Sequence, residues 1–268
     1  MKPLRVLLAL IALASPALPI SRGAQSANSC SPVKAMLPEI VPFSRGGQHS
    51  RVPIWQVPDS QAFYFVSGMA IDADGSPNAY HPDDTGLDEL ANAGAPGRWD
   101  GIITDREGTP LIQQERDPFP GYYISCTSLA DEAKAFTDPT AYVDASQIPY
   151  VALPREIADP RGMRLGDFVL VMNLRNGRSS FAIYADIGTV GEGSIALADA
   201  LGISSNARYG GASDGILYVS FPGSGNLRPR TVDEIRSEGE TLLSRFGGIS
   251  KLVSCAEPTD ASESRSLP

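Results

Sequence analysis

The 268-residue sequence predicts a mainly β fold with a few short helices, and three observations carry that expectation. Its 26 Gly and 22 Pro are more than a helical protein holds, so the chain is cut into short segments by turns. Apolar runs bounded by Gly, Pro, Asn and Asp recur from Phe63 to Phe221. A helical period sustained over several turns comes late, at Val232 to Phe246. With 42% apolar and 20% charged residues, most of the chain has enough apolar surface to fold. No internal repeat and no long linker divides it, so one domain is the economical reading.

The elements follow in order. Lys2 and Arg5 precede the apolar run Val6 to Ala14, and small residues and prolines come after. That is the plan of a secretory signal peptide, read here as residues 1–23. Nine apolar residues are too few to span a bilayer core of about 30 Å, which takes about 20. Cleavage after Ala17 or after Gly23 fits a small-x-small pattern equally well. Residues 24–58 are rich in Ser, Pro and Gly and read as an N-terminal extension. Residues 59–257 form the folded domain, and 258–268 a polar tail.

Within the domain, Phe63 to Ile71 is a strand and Asp72-Ala-Asp-Gly75 a turn. Thr85, with Asp88 three residues on, marks a helix from Gly86 to Ala93. Gly101 to Thr104 and Tyr122 to Ser125 read as short strands, and Tyr150 to Leu153 as a strand stopped by Pro154. Asp167 to Leu174 is a buried strand that Asn176-Gly177 turns back into Ser180 to Tyr184. Ile195 to Leu201 is a helix with Gly202 behind it, and Ile216 to Phe221 a strand. Thr231 caps the helix Val232 to Phe246, and Gly247 follows its end.

Charge and cysteines narrow the function classes. The net charge is −9, and cleavage after Gly23 removes Lys2, Arg5 and Arg22 with no acid, taking it to −12. No basic stripe is present to neutralise phosphates, which argues against nucleic acid. Three scattered cysteines and two histidines do not make a zinc site, and no metal or cofactor is expected. In an exported chain, Cys30 and Cys255 are placed to tie the two ends together as a disulfide, leaving Cys126 free.

Two segments hold the density of chemistry. Tyr184 to Ala198 delivers Asp186 at a strand end, runs through a Gly-flanked loop, and sets Glu192 just before a helix that Ser194 can cap. Two carboxylates either side of a tight loop suit acid–base hydrolysis of a glycosidic bond. The same spacing also suits a carboxylate serving the helix dipole and another capping a turn. Met69 to Asp84 packs Asp72, Asp74, Asp83 and Asp84 with His81, Tyr80 and Asn78. It reads as the acidic wall of a substrate cleft or as a solvated turn. A calcium loop fits less well, because the Gly and distal Glu of an EF-hand are missing. Gly211-Ala-Ser-Asp-Gly215 matches G-x-S-x-G, but a strand follows it and both histidines precede it, against the nucleophile-elbow order.

The blocks Met69–Gly94, Gly121–Leu129, Tyr142–Pro154, Gly166–Asn173, Tyr184–Ile203 and Ile216–Gly225 together resemble the fungal-type chitosanases of glycoside hydrolase family 75, in particular their bacterial relatives. The last two blocks are the specific ones. The resemblance implies an endo-hydrolase of β-1,4-linked glucosamine polymers that works by inversion; with the leader segment, the chain reads as a secreted monomer that needs no cofactor. It puts the catalytic pair on Asp186 and Glu192. Candidate substrate-binding residues are Asp72, Asp74, Tyr80, His81, Asp84, Tyr184 and Ser194. The strand–Asp–Gly loop–helix pattern also resembles a double-psi six-stranded β-barrel with added loops. An acidic chain would attract chitosan, a polycation below the pKa of its amines. The competing classes are a peptidoglycan- or glucan-active enzyme on the same barrel and an inactive carbohydrate-binding relative.

Overall fold

A computed structural model describes residues 41–45, 48–57 and 60–248. The segment read as a signal peptide, the expected Cys30–Cys255 disulfide and the expected polar tail lie outside the described residues. In chain order the elements are β1 (Val41–Arg45), β2 (Gln48–Val52), β3 (Trp55–Gln56), β4 (Phe63–Asp72), β5 (Gly94–Ala95), β6 (Arg98–Trp99), β7 (Tyr150–Ala152), α1 (Arg155–Ala158), β8 (Phe168–Asn173), β9 (Ser179–Asp186), β10 (Glu192–Ser194), α2 (Ile195–Leu201), β11 (Ala212–Phe221) and α3 (Val232–Phe246).

Six strands close a barrel in the order β4, β11, β8, β9, β7, β10, with β10 pairing back onto β4. Two of the six contacts are parallel, β7 with β9 and β10 with β4, and the other four are antiparallel. Closure leaves few free edges. The fold is thus mainly β, with a six-stranded barrel and three short helices, as the sequence predicts.

The strands form where both faces of the chain find apolar cover. All six residues of β8, Phe-Val-Leu-Val-Met-Asn, are buried, because its alternate residues enter two different core clusters. Val169 and Val171 pack with Phe63, Phe65, Tyr218 and Leu197 of α2. Phe168, Leu170 and Met172 pack with Leu217, Val219 and Ile235 of α3. Phe65 and Tyr218 stack at 4.7 Å between ring centroids, worth about 0.5–1.5 kcal/mol beyond the area they bury.

The two longer helices carry their own start signals. Ser194 caps α2 by accepting from Leu197 N. Thr231 and Glu234 form a reciprocal capping box on α3. Gly239, mid-helix in α3, lies over the Phe181 ring, where a Cβ would stand 2.6 Å from Cδ1. A residue that weakens the helix by about 1 kcal/mol is there to let it approach the barrel.

Some expectations change. The helix expected over Gly86 to Ala93 is only a 3-10 turn, Leu90–Ala93. Leu87 N and Asp88 N bond instead to the carbonyls of Asn78 and Ala79, which takes these residues out of a helical ladder. Gly101 to Thr104 and Tyr122 to Ser125 are not strands but meet through the isolated bridge Ile102↔Ser125 and a hydrogen bond from Ile103 N to the Ile124 carbonyl. Part of the N-terminal extension packs on the barrel: β3 pairs with β4, and Ile54 and Val57 are buried.

Candidate active site

Strand register builds the site. Ala152 on β7 pairs with Asp186 on one side and with Glu192 on the other. Residues level with one another across a sheet project to the same face. Asp186 and Glu192 therefore emerge on one face with a single strand between them, or two strand spacings of about 4.7–4.9 Å each. Their alignment depends on an irregularity in β9. Val151 pairs with Tyr184 but the next residue, Ala152, pairs with Asp186, so Ala185 is skipped. This bulge brings Asp186 level with Ala152. On its far side β10 pairs with β4, Glu192 with Ala70 and Ser194 with Asp72, which brings the end of β4 to the same place.

Carboxylate oxygens of Asp72, Asp74 and Asp186 lie within 4.8 Å of one another. Three oxygens so close are able to share one cation, whether a metal ion or an ammonium group. Asp186 is nearly buried, at 8% exposure. Its Oδ1 accepts from Ser128 N at 2.9 Å, Ser128 Oγ at 2.7 Å and Ile187 N at 2.8 Å. Glu192 Oε2 accepts from Thr189 N at 2.7 Å. Asp72 Oδ1 accepts from Asp74 N at 2.8 Å, and Asp74 Oδ1 from the Tyr80 hydroxyl at 2.6 Å. The Tyr150 hydroxyl donates to the Asp74 carbonyl at 2.9 Å.

Among the described residues no ion pair involves Asp72, Asp74, Asp186 or Glu192. Burial raises the pKa of all four. Asp72 and Asp74 go well above the ordinary carboxylate range, pushed further by the negative charges around them. The hydrogen bonds from Ser128 and Ile187 pull Asp186 back down. Those from Thr189 do the same for Glu192, against repulsion from Asp186 and Asp88. The site thus holds protons on some of its acids at pH values where a solvated carboxylate is bare.

The other sequence candidates divide. Tyr80 joins the cluster through Asp74. His81 lies aside from it: its Nδ1 accepts from Asp83 N at 3.1 Å and its ring meets Tyr122 edge-on at 4.8 Å. Asp84 pairs with Arg208, whose guanidinium also donates to the carbonyls of Gly86 and Asp88 and pins that loop. Tyr184 is buried, with its hydroxyl on the Leu153 carbonyl. Ser194 is wholly buried, and its Oγ bonds Tyr150 N, Leu197 N and the Ile148 carbonyl. Both hydroxyl protons are thus committed to backbone carbonyls of the scaffold, from Tyr184 to Leu153 and from Ser194 to Ile148.

Ser128, Thr189 and Tyr150 were not legible as site residues. Ser128 lies 58 positions before Asp186, and only the fold joins them. Thr189 lies in the loop before β10, and its bonding to Glu192 follows from how that loop curls, which no spacing marks. Tyr150 looks like any other strand aromatic.

No curated protein matches the chain. Residues 119–243 match the family of fungal chitosanases of glycosyl hydrolase group 75. That stretch runs from before Ser128 almost to the end of α3 and includes five of the six barrel strands, Asp186 and Glu192. Asp72 and Asp74 precede it, at the end of the strand that closes the barrel. The paired carboxylates lie level across β7 inside the matched segment, and the match to glycosyl hydrolase group 75 supports a chitosanase-type glycoside hydrolase.

Proposed function

We propose that the protein is a secreted, monomeric chitosanase that cuts β-1,4-linked glucosamine polymers internally, with inversion at the anomeric carbon. The observation that carries this reading is the placement of Asp186 and Glu192 on one face with Ala152 between them. A gap of that order leaves room for a water between base and sugar, as inversion needs at about 6.5–9.5 Å between carboxyl groups.

In this reading Glu192 is the general acid and Asp186 the general base. Three donors on Asp186 Oδ1 favour its ionised form. Among the described residues Glu192 takes donors from Thr189 alone, and burial and its negative neighbour Asp186 favour keeping its proton longer. Glu192 gives its proton to the glycosidic oxygen as the C1–O bond breaks. Water attacks C1 from the opposite face and passes a proton to Asp186. The proton returns to Glu192 through solvent before the next turnover.

Asp72 and Asp74 are assigned to the amino group of a glucosamine unit. An ammonium group brought against them relieves the repulsion that raises their pKa values. The acidic net charge of −9 adds long-range attraction for a polycation. Export rests on the charged and apolar segment of residues 1–23, with 59–257 as the catalytic domain.

Reducing-end release from chitosan, chitin, cellulose and peptidoglycan tests the reading, with proton NMR of the first product anomer. Release from chitosan with the α anomer formed first is expected. Release from peptidoglycan or cellulose in its place overturns the substrate class. A β anomer overturns inversion, and no release from any polymer leaves a binding protein.

A further inference from the structure

We propose that Ser128 is a positioning residue: its backbone N–H and its hydroxyl clamp Oδ1 of Asp186 and so present Oδ2 as the oxygen that meets the reacting water. The inference rests on the reading of Asp186 as the base.

A carboxylate oxygen has two lone pairs. Oδ1 of Asp186 already accepts from Ser128 N, Ser128 Oγ and Ile187 N at 2.7–2.9 Å. It has no capacity left for a substrate proton. No hydrogen bond among the described residues reaches Oδ2. The two oxygens are therefore inequivalent before any ligand arrives. Ile187 N also approaches Ser128 Oγ at 3.2 Å, which holds the hydroxyl oxygen while its proton points at Asp186.

The clamp stands on a rigid frame. Cys126 N donates to the Gly101 carbonyl at 3.1 Å, and Leu129 N to the Ala185 carbonyl at 2.8 Å. Ala185 is the residue that the bulge in β9 leaves out of the pairing with β7. The same irregularity thus levels Asp186 with Ala152 and offers a carbonyl that anchors the Ser128 loop. Thr127 Oγ1 donates to the Leu129 carbonyl and accepts from Val143 N, stitching the loop from its other side. Ser128 itself is exposed, so it sits at the rim where a polymer would pass.

The titratable groups around Asp186 are Asp72 on β4, Asp74 in the turn after it, Glu192 on β10, Tyr150 on β7, Tyr184 on β9 and Cys126 in the clamp loop. All are acids, phenols or a thiol, and none brings positive charge. The Ser128 hydroxyl is thus one of few groups that favour ionised Asp186, and burial alone would push its pKa up further.

The test is the pH dependence of kcat/KM on glucosamine oligomers, taken as the difference from the parent enzyme so that titration of the substrate amines cancels. Ser128→Ala should move the acidic limb to higher pH by about one unit, since losing a hydrogen bond to a charged group is a shift of that order. The alkaline limb should stay, KM should change less than twofold, and plateau kcat should fall about tenfold. Ser128→Thr keeps the N–H and the hydroxyl and should restore the limb. Ser128→Cys, with a weak donor of similar shape, should shift it as alanine does. An unmoved acidic limb in Ser128→Ala, or a threonine variant shifted as far as alanine, overturns the inference while Asp186 remains the base. Near-parental turnover in Asp186→Asn overturns the reading of Asp186 itself, which separates the two failures.

Discussion

The carboxylate of Glu192 lies directly over the Cα of Gly188. A Cβ at Gly188 would run into Oε2 of Glu192 and stand 3.0 Å from Cβ of Ala152. The loop between β9 and β10 therefore curls under the acid it delivers, and Thr189 N–H, one residue on, bonds the same oxygen. The glycine is needed for the space it leaves, not for its backbone freedom.

Gly188→Ala should accordingly injure activity more than stability. The atom in the way is the end of a flexible side chain, so Glu192 swings aside at little cost to the fold. A fall in kcat of at least tenfold is expected, with a Tm within a few degrees of the parent. A variant with parental kcat would mean that Glu192 has no fixed position in the reaction.

Asp186→Asn and Glu192→Gln should each lower kcat by three orders of magnitude or more while circular dichroism stays that of the parent. Azide, a small nucleophile needing no base, should restore turnover in the Asp186 variant and yield a glycosyl azide of inverted configuration. Rescue of the Glu192 variant alone would reverse the two roles.

Asp74→Asn should stabilise the protein at alkaline pH. The pKa of Asp74 is raised by burial and then by Asp72, Asp186 and Glu192, so the folded state holds its proton more tightly than the unfolded chain does. Between the unfolded value near 4 and the raised folded value, the native state binds more protons, and stability falls as pH rises. The parent Tm should thus be higher near pH 5 than near pH 8, and the variant should flatten that slope. A gain of about 1 kcal/mol at pH 8 is expected, checked by denaturant unfolding at both pH values. The asparagine Oδ1 still accepts from Tyr80, so the loop keeps its geometry. KM for chitosan should rise and its salt dependence weaken in the same variant.

Ser194→Ala should destabilise the fold by about 2–3 kcal/mol, because Tyr150 N, Leu197 N and the Ile148 carbonyl lose their buried partner together. KM should not change once the folded fraction is allowed for. A raised KM at full folding would return Ser194 to the substrate-binding residues.

Much of the fold was legible in the sequence because its signals are local. Thr231, Gly247 and the apolar period between them set the bounds of α3. Asn176-Gly177 turned β8 into β9, and the apolar runs marked β4, β7, β8 and β11. The helix expected after Thr85 failed for the opposite reason. A capping pattern was present, but the backbone of residues 87 and 88 found partners in Asn78 and Ala79, a contact that no local pattern signals.

The sequence by itself determined that Asp186 closes a strand, that Glu192 opens a helix-capped segment, and that Asp72 and Asp74 share a turn. It left open whether these acids meet, since each spacing suits a cap or a solvated turn equally well. Only the tertiary structure decided that they do. β10 lies between β7 and β4, so one three-residue strand sets Glu192 level with Asp186 across Ala152 and Asp72 beside them. The same closure assigned Ser194 and Tyr184 to the scaffold and drew Ser128 to Asp186. The physical reason is that a carboxylate's role depends on which donors and charges surround it, and in a closed barrel those neighbours come from strands far apart in the chain.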